Sequence, residues 1–186
     1  MKKGARLLAV ASGPIYERRK KRTILVGVVG RLGEIEGVLS ENVEIDGSDG
    51  TLKILRLMNK SRFKEQIKAI AINGVAIAGL NVVDVKTLER KSKVPVLILT
   101  RNKPNMKAFV NALKRYSEAN PSALARIDKV KELNAERPFK KSRGFYVQGK
   151  VLDEYGNSLI ETAFETLRIA HMIAKGVSTG VSKGRI

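Results

Sequence analysis

The apolar positions fall into two kinds of stretch along the chain. Arg6–Val10, Thr23–Val29, Ala69–Ile72 and Val94–Leu99 are short, nearly continuous apolar runs. Strands buried on both faces read this way, because helices cover a parallel sheet above and below. In Glu36–Ile45, Val38, Val43 and Ile45 stand among polar residues, which predicts a more solvated third strand. Helical spacing appears at Thr51–Asn59, where Leu52, Leu55 and Leu57 or Met58 are expected to face the core. It returns at Asn81–Ser92 and at Asn105–Tyr116, with Asn105 as N-cap. A further helix opens at Asn120-Pro121 and reaches Leu133. A last short strand is expected at Phe145–Val147. A closing helix follows, with Ile160, Ala163, Phe164, Leu167, Ala170, His171 and Ala174 on its apolar stripe.

The predicted order is therefore β-β-β-α-β-α-β-α-α-β-α. Three strands before any helix indicate an antiparallel meander, and the alternation after them indicates parallel strands. The expected fold class is α/β: a ribonuclease-H-like mixed sheet, antiparallel meander plus parallel strands, flanked by helices. Residues 1–175 are expected to form a single domain. Residues 176–186, rich in Gly, Ser and Val, are expected to form a basic flexible C-terminal tail. The apolar run near the N-terminus is too short to span a membrane and reads as the first strand.

Charge changes this picture most. The 186 residues carry 36 Lys and Arg against 18 Asp and Glu, a net +18. Six of the acids lie between Glu34 and Asp49, where there is no Lys or Arg. A charge of this size calls for a polyanionic partner, and nucleic acid leads an anionic membrane surface because no basic amphipathic helix with an aromatic stripe is evident. The basic runs are Arg18, Arg19, Lys20, Lys21 and Arg22; Lys60, Arg62, Lys64 and Lys68; Arg90 to Lys93; Lys140, Lys141 and Arg143; and Lys183 with Arg185. Tyr16, Phe63, Phe139, Phe145 and Tyr146 lie near these runs, with core packing the expected role for most. Aromatics make up only 5% of the chain, which favours shape and phosphate recognition of folded RNA over stacking on single strands. Cysteine is absent, so disulfides and thiolate metal sites are excluded and an intracellular setting is expected. Gly74 and Gly79 match no Walker spacing.

Candidate chemistry centres on residues 69–100, a strand, a glycine-containing turn, a helix and a second strand. In open α/β sheets ligands bind at the carboxyl ends of strands. Asn73 stands at that place, an amide where a catalytic acid would be expected. Three segments carry a family resemblance that spans roughly residues 6–174: Asn73 to Asp84 (NGVAIAGLNVVD), Asp46 to Thr51 (DGSDGT) and Leu167 to Ala174 (LRIAHMIA). Together they resemble the archaeal endonuclease-V-like domain-of-unknown-function family 99, which implies a ribonuclease-H-like fold and metal-dependent cleavage of deaminated nucleic acid.

The departures from that family pattern bear on activity. Where the family's first strand ends in two acids, this chain has Ala11 and Ser12. The family's acid after the central strand is Asn73 here, and its Pro-Glu-Pro is Phe164-Glu165-Thr166. Two-metal hydrolysis needs several converging carboxylates. Asp46 and Asp49 are expected to end a strand and cap a helix, His171 to be a satisfied core histidine, and Asp84 to start a helix. The degenerate set Ala11, Ser12, Asp46, Asp49, Asn73 and His171 is therefore expected to hold no metal, and no cofactor is expected. The leading expectation is a non-catalytic RNA-binding protein on an inactivated nuclease fold: a ribosomal protein, cytoplasmic and ribosome-associated, bound to rRNA and neighbouring ribosomal proteins, with no membrane or small-molecule partner. A metal-dependent endonuclease and a DNA-binding accessory protein are the alternatives.

Overall fold

The computed structural model describes residues 5–15, 21–149 and 156–183. Seven of its nine strands form one sheet in the order β3-β2-β1-β4-β7-β9-β8. Strands β1 (Arg6–Ser12), β2 (Arg22–Arg31) and β3 (Glu34–Glu44) are the antiparallel meander. Strand β4 (Ile67–Asn73) runs parallel to β1 and to β7 (Val96–Thr100). Strands β8 (Lys140–Ser142) and β9 (Phe145–Gln148) close the far edge as an antiparallel hairpin on β7. This is the expected mixed sheet.

The continuous apolar runs resolve into two faces with a period of two. Leu8 and Val10 of β1, Ile70 and Ile72 of β4, and Val96 and Ile98 of β7 point to one face. There they meet helices α1 (Gly50–Lys60), α2 (Val85–Ser92), α3 (Met106–Ala119) and α4 (Leu124–Glu136). Leu7, Ala9, Ala69, Ala71, Leu97 and Leu99 point to the other, which the 24-residue helix α5 (Gly156–Thr179) covers. The alanines on this face let α5 lie close to the central strands. Its Ala163, Ala170 and Ala174 are fully buried there.

Several expected boundaries shift. In α1, Ile54, Leu57 and Met58 are buried, whereas Leu52 is 49% exposed and does not face the core. The helix expected from Asn81 begins at Val85. Residues before it form a small hairpin, β5 (Ala76–Ile77) and β6 (Asn81–Val82). Residues 134–143, between the helix expected to reach Leu133 and the last expected strand, contain the end of α4 and the edge strand β8.

The tail expected from residue 176 is corrected for its first residues. Helix α5 continues through Thr179. Ser178 Oγ donates to the Ala174 carbonyl, and Thr179 Oγ1 to the Lys175 carbonyl. Gly180, at φ +74°, ends the helix in the left-handed conformation that suits glycine at that place. The two side-chain bonds to the preceding turn accompany the helix past Gly176, although Val177, Ser178 and Thr179 are exposed. Expected caps elsewhere hold: Asn105 accepts from the Ala108 N–H at 2.9 Å and Asp84 from the Thr87 N–H at 2.9 Å.

Candidate nucleic-acid cleft and its neutral lining

The carboxyl ends of β1 and β4 open into a cleft of about 270 Å³. Its polar lining is Ser12 from the end of β1, Asn73 from the end of β4 and His171 from α5; the rest is apolar or backbone. Strand register brings these together. Val10 pairs with Ile72, so Ala11 comes level with Asn73 and Ser12 follows one residue beyond, where both strands end at the cleft. Helix α5 crosses β1 and β2 with Ala170 and Ala174 packed on Ala11, Val26 and Val28, which sets His171 at the cleft mouth. Ala11 presents only a buried methyl group.

Ser12 Oγ accepts from the Ala78 N–H at 2.9 Å, tying β1 to the β5–β6 turn, and donates to no described residue. Asn73 is exposed, and neither its carboxamide nor the His171 ring is hydrogen-bonded to any described residue. The expectation of a satisfied core histidine is thus corrected. The helical stripe brings His171 to the edge of the core, and the end of β1 leaves it at an opening.

Burial, and then Lys175 one turn on, hold the His171 imidazole below its ordinary 6.5. The fold therefore favours the neutral ring, and the unfolded chain binds more protons below about pH 6.5. Stability is expected to fall as pH drops through 6.5 and to level off below the folded value. Urea midpoints measured from about pH 7.5 to 5 should show this loss, and His171→Gln should flatten it.

Asp46 and Asp49 lie outside the cleft lining and are occupied elsewhere. Asp46, at φ +55°, accepts from the Leu80 N–H at 2.7 Å through Oδ1. Its backbone N–H donates to the Ala78 carbonyl, and its carbonyl accepts from Arg126 Nη1 at 2.8 Å and from the Tyr116 hydroxyl at 3.2 Å. Gly79, at φ +84°, leaves room for this carboxylate; a Cβ there would lie 2.2 Å from Asp46 Oδ1. Asp49 occupies the N-cap position of α1, yet its side chain makes no capping bond, which corrects the expected role. Its Oδ1 instead accepts from the Glu44 N–H and from Asn81 Nδ2 at 2.8 Å. Asn81 supplies the α1 cap through Oδ1, which accepts from the Gly50 N–H at 3.0 Å. Asn81 and Arg126 carry no sequence signal for these roles, because both act across distant segments. Asp84 caps α2 as expected and pairs with Lys129 at 2.7 Å.

These residues do not fit a pair of divalent metals. A methyl group, a hydroxyl, an amide and an imidazole stand where hard cations need anionic oxygen. Among the described residues no group of three or more His, Cys, Asp or Glu is placed to hold a metal ion.

The cations are spread over both ends of the sheet. Lys21 and Arg22 at the start of β2, and Arg101 and Lys103 after β7, lie by register at the cleft end. Lys183 follows the end of α5 that reaches the same side. Lys60, Arg62 and Lys64 precede β4 at the opposite end, and Lys140 and Lys141 lie on edge strand β8. Some are already engaged: Arg22 with Glu44, Lys60 with Glu41, Arg143 with Glu161, and Arg62 over the Phe63 ring. Arg18, Arg19, Lys20 and Arg185 lie outside the described residues, as does Tyr16. Phe63 and Phe139 pack on the α1–α4 side of the core and Phe145 stacks on Phe164, as expected of packing aromatics.

The Endonuclease dU family matches residues 3–178. The chain belongs to that family. Its relatives include a UPF0215 protein of Thermococcus sibiricus, 38% identical over 89% of this chain and 86% of the relative. Another, from Methanothermobacter thermautotrophicus, is 31% identical over 99% and 93%. A crystal structure of an Archaeoglobus fulgidus protein of unknown function has a TM-score of 0.79 at 27% identity, covering 93% of this chain and 98% of that one. Ciona intestinalis endonuclease V, solved with a DNA containing inosine followed by a ribo-adenosine, has a TM-score of 0.54 at 8% identity, covering 98% and 89%. This Endonuclease dU family member thus has an endonuclease-V-like fold. Among the described residues no helix is long and apolar enough to cross a membrane.

Proposed function

We propose that this chain is a non-catalytic, nucleic-acid-binding member of the Endonuclease dU family. The observation that carries this reading is the carboxylate-free lining of the cleft at the ends of β1 and β4, in a chain of net +18. A strongly basic protein retains phosphate affinity without any metal, because neutralising phosphates releases counterions. Structured RNA is the proposed polyanion. Its narrowest form is rRNA with neighbouring ribosomal proteins, a reading supported by composition alone. The family description names an endonuclease, so cleavage at a deaminated nucleotide is the second reading.

One experiment separates them. The purified chain is incubated with uracil- and hypoxanthine-containing DNA and RNA in Mg²⁺ or Mn²⁺, and both binding and product are measured. The expected result is binding without cleavage, with affinity lost about a thousandfold between 50 and 200 mM salt if roughly six phosphates are contacted. Product above the no-protein background would establish the enzyme instead. Co-sedimentation with ribosomes at low salt tests the narrow form, and recovery in free-protein fractions removes it.

A further inference from the structure

We propose that the cleft between Ser12, Asn73 and His171 takes a backbone phosphate of the bound nucleic acid directly, with no divalent cation between protein and phosphate. This rests on the nucleic-acid reading above and names the site where it acts.

The argument begins with charge sign. A cleft ringed by carboxylates repels phosphate and needs cations to bridge the two. Replacing those acids with neutral groups removes the repulsion and supplies donors. The Ser12 hydroxyl donates to no described residue, and its oxygen accepts from the Ala78 N–H. The Asn73 amide is exposed and free of hydrogen bonds to described residues. The His171 ring offers an N–H in either tautomer and two when protonated. Three residues with donor side chains thus line one opening of about 270 Å³, with no carboxylate in the lining. The volume admits a phosphate with its adjoining sugar while leaving one side open to solvent.

The surroundings favour an anion. Lys175 lies one turn beyond His171 on α5. The elements packed against this part of α5 present Ala11 from β1 and Ile24, Val26 and Val28 from β2, none of them charged. Lys175 is accordingly the charged group that acts on His171. Lys21, Arg101 and Lys103 stand at the same end of the sheet, beside Arg22, which is paired with Glu44. A phosphate in the cleft would hold the imidazolium by charge-assisted hydrogen bonding and reverse the pressure that now favours the neutral ring.

The chain has a single histidine, so its ring protons give an isolated signal for the site. The His171 titration is followed by NMR in EDTA on the full chain alone, with inorganic phosphate, and with a short single-stranded oligonucleotide. Either probe is expected to raise the midpoint. Asn73→Asp is expected to weaken oligonucleotide binding in EDTA about tenfold or more, because it restores a negative charge at the phosphate, and Mg²⁺ should recover part of that loss. The exposed position of Asn73 lets this variant keep the wild-type melting temperature. His171→Gln removes the titrating ring and should abolish the tightening of oligonucleotide binding on acidification that the wild type shows. Oligonucleotide binding with an unmoved His171 signal and an unaffected Asn73→Asp would overturn this inference and leave the nucleic-acid reading standing. Phosphate moving His171 with no oligonucleotide bound would support the site and overturn that reading.

Discussion

Asn81→Ala is expected to lower the unfolding free energy by about 3 kcal/mol. Asn81 is fully buried and ties three segments together. Its Oδ1 accepts from the Gly50 N–H at the start of α1, and its Nδ2 donates to the Glu44 carbonyl at 2.9 Å and to Asp49 Oδ1 at 2.8 Å. Truncation leaves the buried helix-terminal N–H of Gly50 unpaired, leaves the Glu44 carbonyl only the longer bond from the Gly47 N–H at 3.3 Å, and deprives the Asp49 carboxylate of one donor. Each orphaned buried group costs about 1–3 kcal/mol, with partial relief where water enters. Asn81→Asp should be at least as damaging, since it sets a second carboxylate against Asp49 and replaces the amide donor. Urea unfolding with unchanged m-value measures both. A loss below about 1 kcal/mol for Asn81→Ala would show that the β3–α1 junction does not depend on this side chain.

Gly149→Ala is expected to be of similar size, more than about 2 kcal/mol, for a different reason. Gly149 follows the last residue of β9 at φ +128°, a conformation that L side chains rarely adopt. A Cβ there would sit 2.2 Å from the Val96 carbonyl oxygen and 3.4 Å from Leu97 Cα. Both are backbone atoms of the buried strand β7, so neither can swing aside as a flexible side chain would. Relief requires β9 to move from β7, loosening the pairing of Ile98 with Gln148. Thermal melting checks it; a melting temperature within a degree or two of wild type would refute the argument. Gly144→Ala serves as a control for loss of glycine alone, because it also has positive φ but no atom within 4 Å of its added Cβ.

The element order was legible because most strands are continuous apolar runs and most helices carry recognisable starts. Pro121 and the caps Asp84 and Asn105 declared themselves. What escaped was short or contextual. Strands of two or three residues, such as β5, β6 and β8, are too brief to display a period. The last turn of α5 contains Gly176, Ser178 and Thr179, which argue against helix on propensity alone, yet two of them hydrogen-bond back to the preceding turn. Asn81 looked like a helix start because its neighbours are helix-compatible. Its side chain is instead used by α1, 31 residues earlier.

For the site, the amino-acid sequence by itself determined the charge, the absence of acids at Ala11, Ser12 and Asn73, and the family to which these departures refer. Residue identity suffices there, because a methyl group or an amide cannot supply an anionic ligand wherever it is placed. The tertiary structure alone decided which groups share a cleft. Parallel pairing of β1 with β4 ends both strands at one cleft, which Ser12 and Asn73 line although 61 positions of sequence separate them, and the crossing of α5 adds His171 from nearly a hundred positions further on. It also decided that Asp46 and Asp49 turn to backbone and amide partners and that His171 faces an opening. Periodicity locates a residue on a helix face, but whether that face meets packed side chains or the end of a strand depends on how far the neighbouring strand extends.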